Sequence, residues 1–208
     1  KEGARPVHHH PKRLSPEQRA EVSRQIQILL KSGAISESWS EWSSRILLVP
    51  KPLRNGKKRW RLVCDFRDVN EATVKDRYSL PRIDACLDSL GGHEFYSALD
   101  ACCGFGAVRV HPDSKKYTTI ITEDGIFQWN IMPQGLSGSP ATYMRMMSAI
   151  FAGITWKYTV LFVDDLGVFS NTFEEHMEHL GTVFARCRSG GIFLNPQKAK
   201  LCRKKIEF

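Results

Sequence analysis

The sequence has no CxxC pair, no apolar run long enough to cross a bilayer, no internal repeat and no low-complexity tract. Its six cysteines follow neither the spacing of a disulfide framework nor that of a zinc-binding module. They stand at positions 64, 86, 102, 103, 187 and 202. We therefore expect reduced thiols in an intracellular protein without a membrane partner.

Acidic side chains are also in the minority. The 22 Asp and Glu residues face 30 Lys and Arg, which gives a formal net charge of +8. This balance favours a polyanionic partner, with nucleic acid the first candidate, because cationic side chains release counterions from phosphates. Charge alone leaves open a basic protein that binds nothing anionic. The last residues are charged and apolar in alternation, so we expect the 208 residues to be a piece of a longer polypeptide.

The hydrophobic pattern predicts helices and strands in an α+β order. Residues 1–14 carry two prolines without periodicity and predict an extended arm. Helices are predicted at 16–32, 81–90, 139–150 and 173–189. Strands are predicted at 46–49, 60–66, 95–100, 117–122, 126–131, 158–163 and 166–169. The expected fold packs helices on an antiparallel sheet.

Two adjacent acids, Asp164 and Asp165, interrupt a run of β-branched and aromatic residues. Aspartate is depleted from strands, so the pair is expected at a hairpin turn, although Asp-Asp is a poor choice for its two central positions. Two carboxylates at one turn repel each other unless a cation neutralises them, and such oxygen ligands suit Mg²⁺. A solvated acidic turn is the alternative.

A third acid, Asp100, ends the apolar run at 95–100. Phosphoryl transfer assisted by two metal ions needs carboxylates from different elements, because both ions and the attacking and leaving oxygens must be held. Asp100 can meet Asp164 and Asp165 if their strands are neighbours in one sheet.

Six motifs then resemble those of reverse transcriptases, most closely those of Gypsy-type long-terminal-repeat retrotransposons and retroviruses. They are WRLVCDFRDVN at 60–70, YSLPRI at 78–83, YSALD at 96–100, MPQGL at 132–136, FVDD at 162–165 and LNPQK at 194–198. The resemblance runs from about Arg13 to Phe208. It implies a right-hand polymerase with an arm at 1–14, fingers at 15–75 and 112–136, and palm at 76–111 and 137–208.

The same resemblance implies an RNA-directed DNA polymerase, with DNA-directed synthesis as a second capacity. Asp100, Asp164 and Asp165 would bind two Mg²⁺ ions, with Mn²⁺ as a substitute, and the Ala101 carbonyl would assist. The implied partners are an RNA template, a DNA primer, a deoxynucleoside triphosphate, and downstream thumb and ribonuclease H parts of a polyprotein. The implied location is a cytoplasmic particle or the nucleus.

Further residues receive roles from the resemblance. Phe105 matches the aromatic floor beneath the nucleotide sugar, Gln134 a glutamine near its 3′-hydroxyl, and Lys198 a lysine that protonates leaving pyrophosphate. One arginine that matches the family's motif would bind the phosphates of the nucleotide or the template. Three residues of a basic turn and the two residues before the Asp pair would contact nucleic acid. These residues are Arg61, Lys57, Lys58, Arg59, Phe162 and Val163. Phe105 as a core aromatic, and the turn as a solvated basic loop, are the alternatives.

The sequence departs from the family at some positions. Phe162 replaces the usual tyrosine, and small residues replace polar ones across 101–108. An inactive, nucleic-acid-binding module therefore stays the alternative function, while the Met-Pro-Gln-Gly motif argues against another kind of palm polymerase. His176, His179 and Cys187 match no zinc template, so we expect the two histidines at the surface.

Overall fold

The structure, a computed structural model, describes the chain except for residues 2, 55, 56, 77, 103 and 206–208 and the side chains of Arg54 and Lys57. Asn55 and Gly56, which belong to the basic turn expected between the predicted strands at 46–49 and 60–66, thus lie outside the described part. The chain divides into two compact units. The first comprises Lys1–Asp76 and Val108–Ser139, and the second comprises Arg77–Ala107 and Pro140–Phe208.

The first unit is built on a five-stranded sheet. Its helices are α1 (Pro16–Lys31), α2 (Arg67–Ala72) and α4 (Pro112–Lys115), and its strands are β1 (Ile35–Glu37), β2 (Ser44–Arg54), β3 (Lys57–Asp65), β5 (Ile120–Thr122) and β6 (Gly125–Trp129). The strand order is β1-β6-β5-β2-β3. All pairs are antiparallel except β2 with β5. Val22 and Ile26 of α1 pack into a core that contains Ile46 and Ile120 of the sheet and Phe66, which precedes α2.

The second unit is built on a four-stranded antiparallel sheet. It contains α3 (Ile83–Leu90), β4 (Phe95–Asp100), α5 (Ser139–Ile150, whose first residue belongs to the first unit), β7 (Thr159–Phe162), β8 (Asp165–Ser170), α6 (Phe173–Ser189) and β9 (Lys200–Arg203). The strand order is β7-β8-β4-β9. The predicted α+β class, with helices beside an antiparallel sheet, is confirmed.

Local capping signals in the sequence predicted the first turn of two helices correctly. Ser15 and Gln18 form the predicted capping box of α1, and Thr172 and Glu175 form that of α6. The predicted end of a strand at Pro50 is wrong, since β2 continues to Arg54. In the described chain, only Ser44 and Arg45 of β2 pair with β5, so the rest of β2 has a free edge on that side. A strand edge without a pairing neighbour tolerates proline, which has no N–H to donate.

The predicted buried face of α6 is also wrong in part. Its buried residues are His176, Leu180, Val183 and Cys187. Three apolar residues expected on that face are exposed instead: Phe173 by 47%, Met177 by 48% and Phe184 by 40%. His176 is fully buried, contrary to the surface position expected for it. Its ring is acceptable there because Ser97 Oγ lies 2.7 Å from Nε2 and Ser170 Oγ lies 2.9 Å from Nδ1.

Elements without a strong apolar period were missed. These are β1, α2, α4 and β9, each no longer than six residues. Within the described ranges, no helix has the length and apolar character needed to cross a membrane.

Candidate active site

The second unit brings Asp100 and Asp165 together. Strand β4 pairs with β8 in a register that sets Asp100 opposite Asp165 at the end of both strands. The neighbouring residues Leu99 and Leu166 are buried and hold the two strand ends in the sheet. The strands that carry these two acids are therefore neighbours in one sheet, which is the arrangement that the sequence required for the acids to come together.

The hairpin between β7 and β8 corrects one detail. Phe162 pairs with Asp165, so the two central residues of the turn are Val163 and Asp164 rather than the two aspartates. Val163 has a φ of 52°, which is unfavourable for a β-branched side chain. The Ala101 N–H donates to the Asp164 carbonyl at 3.0 Å and ties the turn to the end of β4. Strained turns of this kind are concentrated at functional sites.

Asp164 sits over a glycine. A Cβ at Gly104 would lie 2.5 Å from Asp164 Oδ1 and 2.9 Å from both Cζ and the hydroxyl oxygen of Tyr143. Tyr143, on α5, is fully buried. Within the described residues, neither its hydroxyl nor Asp164 Oδ1 has a hydrogen-bond partner, although both atoms are buried. A buried carboxylate oxygen without a partner is costly unless a ligand satisfies it.

The electrostatics of the acids favour a cation. Burial raises the pKa of Asp164, and the charges of Asp100 and Asp165 raise it further, while Lys198 opposes them. The pKa of Asp165 is raised by burial and by Asp100, again against Lys198. Burial and then the Asp164 charge raise the pKa of Tyr143, so its hydroxyl keeps its proton. A divalent cation would remove the mutual repulsion of these carboxylates.

The structure places the ammonium of Lys198 at the site. Its Nζ donates to Asp100 Oδ2 at 2.8 Å, and this hydrogen bond raises the pKa of the lysine. The segment that carries it is fixed beside β4, since the Asn195 N–H donates to the Asp100 carbonyl at 2.9 Å. Ala101 and Leu194 form an adjoining antiparallel bridge. Lys198 thus lies beside the acids, and its predicted role toward pyrophosphate stays a prediction.

The acids fit divalent metal ions that prefer oxygen, because they offer carboxylate oxygens of which one is buried and unsatisfied. Among the residues that the structure describes, no three His, Cys, Asp or Glu side chains already stand in an arrangement that could hold an ion. The ammonium of Lys198 forms an ion pair with Asp100.

The other residues predicted in this unit surround the acids. Phe105, in a short 3₁₀ helix at Gly104–Ala107, is half-buried and meets Tyr143 edge-to-face, with ring centroids 5.4 Å apart. Ala101 is buried directly after Asp100, and Phe162 and Val163 are half-buried before Asp164. Their proposed contacts with nucleotide and nucleic acid stay predictions.

The remaining predicted residues belong to the first unit. Arg61 lies on β3 opposite Val49, and its side chain is exposed, as are those of Lys58 and Arg59. The side chain of Lys57 lies outside the described part of the structure. Gln134 is exposed in a loop fixed by Asn70, which donates from Nδ2 to the Gly135 carbonyl at 2.9 Å and accepts the Ser137 N–H at 2.8 Å. The roles of these residues also stay predictions.

Sequence reasoning missed two residues of the site, Gly104 and Tyr143. The glycine gave a signal, since it follows Asp100 closely in a run of small residues, and close approach of another group is a common reason for glycine. Tyr143 gave none beyond an apolar position on a predicted helix, because its contact with Asp164 depends on how α5 packs.

Comparison with known proteins gives a consistent picture. A family model described as reverse transcriptase (RNA-dependent DNA polymerase) matches residues 49–208. The chain is 34% identical over 190 residues to the retrovirus-related Pol polyprotein from transposon 412 of Drosophila melanogaster, covering 90% of this chain and 15% of the polyprotein. It is also 34% identical over 198 residues to the enzymatic polyprotein of cauliflower mosaic virus (strain NY8153), covering 95% of this chain and 29% of that one.

Solved structures of the foamy viral protease-reverse transcriptase share the fold. The one in complex with RNA/DNA hybrid has a TM-score of 0.88 and 25% identity, covering 99% of this chain and 27% of that chain. The one in complex with double-stranded DNA has a TM-score of 0.84 and 27% identity, covering 98% and 35%. The predicted fingers-and-palm fold is thereby confirmed. Because the family model matches more than half of its residues, the chain belongs to the reverse transcriptase (RNA-dependent DNA polymerase) family.

Proposed function

We propose that this chain is the fingers-and-palm part of a retrotransposon polyprotein that copies RNA, and also DNA, into DNA. The first unit corresponds to the fingers and the second to the palm. The observation that carries the proposal is the register of β4 and β8, which sets Asp100 opposite Asp165 with Asp164 in the adjoining turn. Family membership supports the reaction class, and the foamy viral relative in complex with RNA/DNA hybrid supports the substrate class.

Asp100, Asp164 and Asp165 would hold two Mg²⁺ ions, for which Mn²⁺ can substitute. Ions held there would supply Lewis-acid chemistry, which would ease deprotonation of the primer 3′-hydroxyl and offset the charge of the triphosphate as pyrophosphate leaves. Burial and the neighbouring carboxylates raise the pKa of Asp164 and of Asp165, which supports this role because a bound cation would offset both effects. The protein packs closely around one of these acids, because Gly104 and Tyr143 lie against one side of Asp164.

Other residues would select and hold the substrates. Phe105 would lie under the sugar and exclude a 2′-hydroxyl, the Ala101 carbonyl would assist the acids, and Lys198 would give a proton to pyrophosphate. Within the fingers, Arg61 and Gln134 would contact the nucleotide. Lys57, Lys58 and Arg59 of the first unit would contact nucleic acid. Phe162 and Val163 of the second unit would also contact nucleic acid. The thumb and ribonuclease H parts would come from the rest of the polyprotein.

The test is Mg²⁺-dependent primer extension on an RNA template by the polyprotein's reverse transcriptase. Asp164→Asn should lower the rate by at least about 100-fold, because it removes charge that stabilises the transition state. Asp113→Asn is the matched control, since this acid is exposed by 90% on α4 of the first unit, and it should leave the rate unchanged. Equal rates for Asp164→Asn and wild type would overturn the site. Binding of RNA/DNA hybrid without extension by the wild type would favour the inactive binding module.

A further inference from the structure

Lys198 occupies the acidic site of the second unit in a way that the proposed reaction does not require. We propose that its ammonium is a resident counter-ion, which holds Asp100 while the site contains no metal and must release it before a divalent cation binds. The inference rests on the proposed function, because it concerns the same three acids. It differs from a role in protonating pyrophosphate, since it acts before any nucleotide is present.

The geometry makes the ion pair specific. Lys198 Nζ lies 2.8 Å from Asp100 Oδ2, which is the distance of a charge-assisted hydrogen bond. The lysine is placed by a turn in which the N–H groups of Lys198 and Ala199 donate to the Asn195 carbonyl at 3.2 and 3.1 Å. The N–H of Asn195 in turn donates to the carbonyl of Asp100 itself. The cation is therefore anchored to the residue that it neutralises.

Exposure shows which partner can move. The Lys198 side chain is 64% exposed, whereas that of Asp100 is 21% exposed. The lysine can swing into solvent at little cost because its ammonium is strongly hydrated there. Asp100 is held at the end of β4 by the sheet and cannot move with the lysine. A divalent cation that binds Asp100 Oδ2 therefore has to displace only the lysine side chain.

The lysine also acts on the other acids. Its charge opposes the rise in the pKa of both Asp164 and Asp165, so its field reaches the whole cluster. Without Lys198, three carboxylates would face one another with less compensation. The protein free of metal should then be less stable, and a divalent cation should bind more tightly, because the Lys198 ammonium no longer competes for Asp100.

The test uses Lys198→Gln, with Mn²⁺ as the probe and electron paramagnetic resonance as a direct measure of free and bound ion. We expect the variant to bind Mn²⁺ roughly fivefold more tightly than wild type at low ionic strength, with a smaller gain at high salt. Lys204→Gln is the matched control. It removes the same charge from an ammonium that is equally exposed and lies 2.9 Å from Glu94 in the same unit. Its Mn²⁺ affinity should stay within about twofold of wild type.

A second measurement, urea unfolding in EDTA and in Mn²⁺, separates the effect of the lysine on the stability of the metal-free protein from its effect on Mn²⁺ binding. Lys198→Gln should be less stable than wild type in EDTA and gain more stability from Mn²⁺. Equal or weaker Mn²⁺ binding by this variant, in an enzyme whose wild type binds Mn²⁺ and extends primers, overturns the inference alone. If the wild type neither binds Mn²⁺ nor extends primers, the inference and the proposed function fail together.

Discussion

Gly104→Ala tests the close packing of Gly104 against Asp164 and Tyr143. The new methyl carbon would stand 2.5 Å from Asp164 Oδ1 and 2.9 Å from the ring and hydroxyl of Tyr143. Ordinary contact requires about 3.5 Å or more. Neither neighbour can retreat easily, because Tyr143 is fully buried and the backbone of Asp164 is tied to Ala101. Overpacking of this kind costs about 1–3 kcal/mol of unfolding free energy.

The cost should appear in activity as well as in stability. A carboxylate pushed aside by about 1 Å loses roughly 100-fold in rate when it positions reacting groups. Urea unfolding and primer extension measure the two effects. Gly181→Ala is the control, because a Cβ there meets nothing within 4 Å and the residue is inside α6. It should stabilise the protein by up to about 1 kcal/mol through helix propensity. Wild-type stability and rate for Gly104→Ala would refute the described packing.

Two further substitutions probe the sugar contact and the last long helix. Phe105→Ala should raise ribonucleotide incorporation in primer extension, because it removes the proposed floor under the sugar. Tyr143→Phe is the control and should not raise it, because it keeps the ring that contacts Phe105. Unchanged sugar selectivity in the alanine variant would reject the role of Phe105. Thr172→Ala should lower the free energy of unfolding in urea by about 1 kcal/mol, since it removes the side chain that caps α6. Thr182→Ala, on the exposed side of that helix, is the control and should cost less. Equal losses in the two variants would show that the cap contributes no more than the exposed threonine does.

The fold was predictable where the signals are local. The capping boxes at Ser15 and Thr172 lie within four residues and do not depend on distant packing. The strand that ends at Asp100 was also predictable, because an apolar run that stops at a single acid defines its own boundary. Short elements such as β1 and β9 were missed, since three or four residues carry too little periodicity to distinguish a strand from a loop.

Register and packing were harder to predict. The pair Asp164 and Asp165 was expected to form the turn, yet Asp165 starts β8 and Val163 takes the turn position with positive φ. Residue preferences alone favour the other choice, because valine avoids that conformation. The pairing of Asp165 with Asp100 overrides the preference and keeps both acids at one sheet end. Such an override arises from tertiary pairing, which a single sequence does not reveal.

His176 shows the same limit and gives a test of its own. Hydrophobic periodicity favoured Phe173 and Met177 for the core, but the sheet offers the hydroxyls of Ser97 and Ser170, which satisfy both nitrogens of a buried imidazole. Burial lowers the pKa of His176, and the nearby His179 lowers it further.

The sign of the pH effect follows from that shift. The unfolded chain takes up a proton near pH 6.5, before the folded protein does, so stability should be full above that pH and should fall as the pH decreases below it. Urea unfolding between pH 5 and 8 measures the slope. His176→Gln cannot titrate at this position and should show a shallower slope, with a lower plateau at neutral pH because a buried hydrogen bond is lost. Equal slopes in the two proteins would mean that His176 is protonated in the folded state as easily as in the unfolded one, and that the buried serine pair does not hold it neutral.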